Sequence, residues 1–135
     1  MYTKIAVAEV KNIKFNISID CSLAKFPLDN NEATSFLGNL IDNSIDAVEY
    51  MEDNRYINLE ISMETGSFLV EIENPCVLNE NEVENILKPN FTTKQSHSGL
   101  GLVIVKELVD KYQGKIVVNI NDGRIVFNIT IPSKV

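Results

Sequence analysis

Ser98-Gly99-Leu100-Gly101-Leu102 stands where a polar loop turns into an apolar helix, and there the chain has the residue types to hold an anion. Glycines at such a junction let backbone N–H groups approach closely, and the positive end of the helix dipole favours the charge. Phosphate is the natural guest. A plain glycine-containing helix start is the alternative, because the motif is neither GxxxxGK[ST] nor a dinucleotide fingerprint directly after a strand. A second polar feature lies upstream, in Gly38-Asn39-Leu40-Ile41-Asp42-Asn43-Ser44-Ile45-Asp46-Ala47. Four residues is close to one helical turn, so Asn39, Asn43 and Asp46 at i, i+4 and i+7 share a stripe. That stripe runs beside a core-facing one made of Phe36, Leu37, Leu40, Ile41, Ile45 and Val48. It reads either as solvated helix surface or as one wall of a site.

The elements that must position these residues follow from periodicity. The spacing predicts a helix opening near Asn30/Asn31 and closing near Asp53/Asn54, with Asp29, Asn30 or Asn31 as candidate N-cap. Before it, Thr3–Val10 is helix-compatible, and residues 1–12 read as the remnant of a preceding helix or linker. Ile13 to Cys21 alternates apolar and polar as a half-buried strand. Tyr56, Leu59, Ile61 and Met63 belong to a strand that Thr65-Gly66-Ser67 turns into a second, with Phe68, Val70 and Ile72 on one face. Alternation puts Glu73 on the face opposite Ile72 and Asn74. A polar stretch then runs from Glu73-Asn74-Pro75-Cys76 to Ser98, with a short helical candidate at Glu80–Leu87 and the tract Lys88-Pro89-Asn90-Phe91-Thr92-Thr93-Lys94; such segments tend to be functional. Leu100 to Tyr112 predicts a second helix, closed by Gly114 at the position just past its end. Two last strands, Lys115–Ile120 and Arg124–Ile131, are turned by Asn121-Asp122-Gly123. This order predicts an α/β two-layer sandwich, a mixed and mostly antiparallel sheet covered on one face by helices.

Composition bounds the function. The chain's 135 residues fit one domain, 1–135. With 44% hydrophobic and 23% charged residues it reads as globular, and no apolar run reaches membrane-spanning length. The first residues lack an apolar signal core, so exposure to the cytosol is the expectation. A net charge of −7 argues against nucleic-acid binding, although local basic residues can hold a small polyphosphate. Cys21 and Cys76 stand far apart without CxxC spacing and read as thiols in a reducing compartment. The single histidine, His97, cannot build a His-based catalytic zinc site.

Taken together, Asn39–Asn43 on a helix, a strand running into Asn74, Asn90-Phe91-Thr92-Thr93-Lys94, and Gly99-Leu100-Gly101-Leu102-Val103-Ile104-Val105-Lys106 resemble, in order and spacing, the N, G1, F and G2 boxes of the GHKL (Bergerat-fold) ATP-binding superfamily. The resemblance covers nearly the whole chain and is greatest to the ATP-binding catalytic domain of sensor histidine kinases. "GNLIDNSIDA", "NFTTK" and a G2 box without long lid insertions look most like the AgrC-type branch of quorum-sensing kinases.

The resemblance implies ATP and Mg²⁺ as ligands, with the Asn43 side-chain carbonyl on the metal. Asn39 stands where members that hydrolyse ATP with water carry a Glu general base; Asn cannot take a proton at neutral pH, which fits transfer to a histidine better. Asn39, Asn43 and Lys94 are thereby the implied catalytic residues. Asn39, Asn43, Asp46, Asn74, Phe91, Thr93, Lys94, Gly99, Leu100, Gly101 and Leu102 are the implied nucleotide contacts. Phe91 reads as lid packing or as an ordinary satellite hydrophobe, and Lys94 as a reach to the terminal phosphate or a solvated lysine. Asn74 replaces the family's adenine-reading Asp, and the G1 glycines are missing. A neutral carbonyl can accept the same bond from the adenine amine, and in principle its amide could rotate to donate to guanine. Glu73 is the competing base reader. The implied reaction is transfer of the γ-phosphate to a histidine on a separate dimerisation domain, inside a membrane-anchored sensor of a two-component system with a response regulator. The domain itself would touch neither nucleic acid nor membrane. A degenerate nucleotide-binding module with a regulatory role and a GHKL protein-serine kinase are the alternatives.

Overall fold

A computed structural model describes residues 2–76 and 101–134. The expected tracts at Glu80–Leu87 and Lys88–Lys94, and His97, lie outside the described residues. The elements run α1 (Tyr2–Val10), β1 (Lys14–Ile19), α2 (Asn30–Val48), β2 (Tyr56–Glu64), β3 (Ser67–Pro75), α3 (Gly101–Lys111), β4 (Lys115–Asn121) and β5 (Arg124–Pro132). The five strands lie in the order β1-β2-β3-β5-β4, with β1 parallel to β2 and every other pairing antiparallel. The α2 crossover makes the parallel pair possible, since a hairpin cannot join parallel neighbours.

Register puts the apolar side chains in rows across one sheet face. Leu59, Ile72 and Phe127 stand side by side, as do Ile61, Val70 and Ile129, and all six are buried. Phe36, Leu40, Ile41, Ile45 and Val48 of α2 and Leu102, Val105 and Val109 of α3 close over that face in the same core. The other face carries polar rows such as Ser18, Glu60, Glu71 and Asn128. Both hairpins turn through two residues of positive φ, Thr65-Gly66 and Asp122-Gly123, the geometry that matches the strands' twist.

Several element ends differ from the sequence expectation. The second helix stops at Val48 rather than near Asp53/Asn54. Val48 is its last apolar anchor, and beyond it Glu49, Glu52 and Asp53 would crowd the negative end of the dipole, which has no basic residue in its last turn. β1 begins at Lys14 because Ile13 belongs to the end of α1: its N–H bonds to the Ala8 carbonyl at 2.8 Å, while Asn12 takes the left-handed conformation with φ 59°. The same motif ends α3. There Gln113, with φ 60°, is the residue just past the end, and Gly114 is one further on, donating to the Val109 carbonyl at 2.8 Å. Gly114 is needed for closeness rather than for φ, since a Cβ there would stand 2.4 Å from the Thr130 carbonyl oxygen.

Candidate functional site

Asp29 caps α2 through a reciprocal box: its carboxylate accepts from the Glu32 N–H at 2.8 Å, and Glu32 accepts from the Asp29 N–H at 3.1 Å. Glu32 also accepts from Lys111 Nζ at 2.5 Å and from the Tyr112 hydroxyl. The Lys111 bond, then the Tyr112 bond and the Asp29 N–H, pull the Glu32 carboxyl down to about 2. The start of α2 is thereby bound to the end of α3, so the two helices run antiparallel. The start of α3 consequently arrives at the middle of α2. There Gly101 packs closely on Asn39: a Cβ on Gly101 would stand 3.0 Å from Asn39 Oδ1, so that side chain would have to give way slightly. The Asn39 amide nitrogen is committed backward, donating to the Ser35 carbonyl at 2.7 Å and the Ser35 hydroxyl at 3.3 Å. Its carbonyl therefore faces the first turn of α3, a turn without an acidic side chain to neutralise the dipole.

Asn43 and Asp46 continue the Asn39 row, and all three are half-buried. On the far flank of α2 the Lys4 ammonium lies 2.6 Å from Asp42, and Lys11 pairs with Glu49, so α1 is bound alongside, parallel to α2. Leu102 points into the core at 7% exposure, which leaves its backbone rather than its side chain to face a ligand.

Below α2, the last helix-facing residue of β3 is polar. Asn74 alternates with the buried Phe68, Val70 and Ile72, stands opposite Ile125, and is itself 0% exposed. Its amide nitrogen donates to the Pro75 carbonyl at 2.8 Å, which fixes the orientation of the group. The carbonyl oxygen, Oδ1, is buried without a hydrogen-bond partner among the described residues. Rotating the amide would set that oxygen against the Pro75 carbonyl, so Asn74 is held as an acceptor. Glu73 faces the other way, accepting from the Tyr56 hydroxyl at 3.0 Å and lying 3.6 Å from the Arg124 guanidinium. Burial, then the hydrogen bond to Glu73, raises the Tyr56 phenol. Glu73 is thus engaged on the open sheet face, away from the helices.

A nucleotide fits these residues on two observations: a buried acceptor without a donor at Asn74, and a glycine cradle at the start of α3. Among the described residues no group of three His, Cys, Asp or Glu could hold a metal; Asn43 offers a side-chain carbonyl oxygen of the kind a hard divalent cation takes. Phe91, Thr93, Lys94, Gly99 and Leu100 lie outside the described residues. One buried polar group escaped the sequence reading. Ser44, 0% exposed, interrupts the apolar stripe of α2, and its hydroxyl also lacks a partner among the described residues. The signal was a serine between Leu40 and Val48 on a core-facing stripe.

A family model described as a GHKL domain matches residues 28–132. Sporulation kinase E of Bacillus subtilis is 25% identical over 94% of this chain, and a probable C4-dicarboxylate sensor kinase of the same organism is 30% identical over 99%. The chain spans 17% and 26% of those two relatives. The catalytic domain of histidine kinase ThkA superposes with a TM-score of 0.80 at 27% identity, covering 98% of this chain and 87% of that one. With the fold, the antiparallel helix pair and the family match in agreement, the chain belongs to the GHKL domain family and has the fold of a histidine-kinase catalytic domain.

Proposed function

We propose that this domain binds Mg-ATP and presents the γ-phosphate to a histidine on a separate dimerisation domain of a two-component sensor kinase. The observation that carries the reading is the buried Asn74 carbonyl, oriented by Pro75 and lacking a donor beneath the helices. An exocyclic amine supplies the missing donor, and leaving such an acceptor unmet costs about 1–3 kcal/mol. Gly101, packed against Asn39, opens a helix whose first N–H groups suit phosphate. Asn43, one turn along α2 from Asn39, would hold Mg²⁺ through its carbonyl, and the cation would neutralise phosphate charge. Asn39 takes no proton: its nitrogen is engaged by Ser35 and its oxygen is a neutral amide, so the position one turn before Asn43 carries no group to activate water. Such a site keeps its phosphoryl group for an acceptor brought from outside.

The wording of the Asn39–Asn43 and Asn90–Lys94 motifs supports the AgrC-type, quorum-sensing branch, a response regulator as final acceptor, and a cytoplasmic position in a membrane-anchored sensor. No helix of the described residues is long and apolar enough to cross a membrane. A second reading, a regulatory nucleotide-binding module without transfer, is favoured by the neutral Asn74, a weaker acceptor than a carboxylate. Titrating ATP with and without Mg²⁺, on wild type and Asn43→Ala, tests the metal assignment. The expected result is Mg²⁺-dependent binding that Asn43→Ala loses at least tenfold with an unchanged circular dichroism spectrum. Equal Mg²⁺ dependence in both proteins removes Asn43 from the metal.

A further inference from the structure

We propose that the Ser44 hydroxyl is a second base-reading group, donating to a ring nitrogen of adenine beside the amine that Asn74 accepts. The inference rests on the reading that this site takes ATP. Only two side-chain polar atoms among the described residues are buried without a partner, Ser44 Oγ and Asn74 Oδ1. They belong to the two surfaces that face each other where α2 packs over β3. Ser44 lies between Leu40 and Val48 on the sheet-facing stripe of α2, and Asn74 follows Ile72 on the helix-facing side of β3.

A serine inside a helix ordinarily returns its hydroxyl to the carbonyl four residues back. Other polar residues of α2 do this: Thr34 Oγ1 donates to the Asn30 carbonyl at 2.8 Å, and Asn39 to that of Ser35. Ser44 does not. Alanine would complete the apolar stripe and has the better helix propensity, so an unpaired hydroxyl here costs stability without structural return. The chemistry of the guest accounts for both orphans at once. Adenine sets an amine donor beside ring-nitrogen acceptors, N1 on one side and N7 on the other. A fixed acceptor, Asn74 Oδ1, meets the amine, and a hydroxyl, which turns to suit its partner, donates to a ring nitrogen. Guanine presents a carbonyl where adenine has its amine, and Asn74 cannot turn to donate to it.

The test is Ser44→Ala, titrated with ATP, 1-deaza-ATP and 7-deaza-ATP beside wild type and Asn74→Leu, with thermal unfolding of each protein measured without nucleotide. Ser44→Ala is expected to unfold no lower than wild type and to bind ATP about three- to tenfold more weakly. Wild type should lose the same factor with one deaza analogue, and Ser44→Ala should bind that analogue and ATP equally. Unchanged ATP affinity in Ser44→Ala, or an equal loss for ATP and both analogues, overturns the inference. If Asn74→Leu still weakens ATP binding in that case, the ATP reading stands and only the Ser44 role falls. If neither substitution matters, the base is not read here at all.

Discussion

Asn74 shows how a single residue can be legible in kind and illegible in detail. Strand alternation already set it on the helix-covered face and Glu73 on the other, and both hold. Periodicity could not reveal that the amide nitrogen is committed to Pro75, which removes the expected freedom to turn toward guanine. Wild type is therefore predicted to prefer ATP over GTP by at least about tenfold, one hydrogen bond lost plus one repulsive contact; competition binding checks this, and near-equal affinities would contradict it. The same geometry makes Asn74→Asp costly. A carboxylate would lose the donor to Pro75 and face that carbonyl while buried. It should lower nucleotide-free stability by about 1–3 kcal/mol at pH 7. Burial raises the carboxyl's folded pKa, so the deficit should shrink as pH falls and the acid is protonated, a trend urea denaturation across pH would reveal. Ser44 was hidden for another reason: its place on the core-facing stripe is readable in the sequence, but the lack of a partner for its hydroxyl is not.

At the scale of elements, the expectation succeeded where apolar periodicity was long and failed at ends, which are set by contacts distant in sequence. α2 stops where its anchors stop, and Ile13 is claimed by the turn after α1. Gly114 is required by the backbone of β5 rather than by its own dihedral. One substitution made at two glycines separates fold from function. Gly114→Ala drives a Cβ against the Thr130 carbonyl and should cost about 1–3 kcal/mol of stability. Gly101→Ala meets only the Asn39 side chain, which can shift. It should fold normally yet bind ATP more weakly, and a wild-type titration would reduce Gly101 to a helix start. Glu32 is the element-scale link, joining the α2 cap to the α3 end. Its folded pKa of about 2 lies below the ordinary 4.5, so its stabilisation is full above the unfolded value and disappears as pH falls toward 2. Glu32→Gln should destabilise the domain at pH 7 and make little difference near pH 2; a pH-independent difference in urea midpoints would refute the linkage.

Across the whole molecule, the order of elements was readable because periodicity marked the two long helices and hairpin signals fixed the antiparallel pairs, whereas the parallel pairing of β1 with β2 is a finding of the structure. What the order could not convey is that Glu32 and Gly101 mark opposite ends of one antiparallel helix pair, which delivers the start of α3 to Asn39. Lys94 and Gly99, which the resemblance put in the same site, lie outside the described residues, so the proposed site is argued from α2, β3 and the first turn of α3. If the phosphoryl group is reserved for an outside acceptor, the domain alone should hydrolyse ATP slowly and label a histidine-bearing dimerisation domain only when that domain is supplied. The central claim, that ATP is read by a buried acceptor on β3 beneath α2, is tested most directly by calorimetric ATP titration of Asn74→Leu beside its nucleotide-free unfolding. In this variant the lost Pro75 bond and the removed orphan oxygen oppose each other, so stability should stay within about 1 kcal/mol of wild type while ATP affinity falls at least about fivefold. A folded Asn74→Leu that binds ATP as tightly as wild type would contradict the claim.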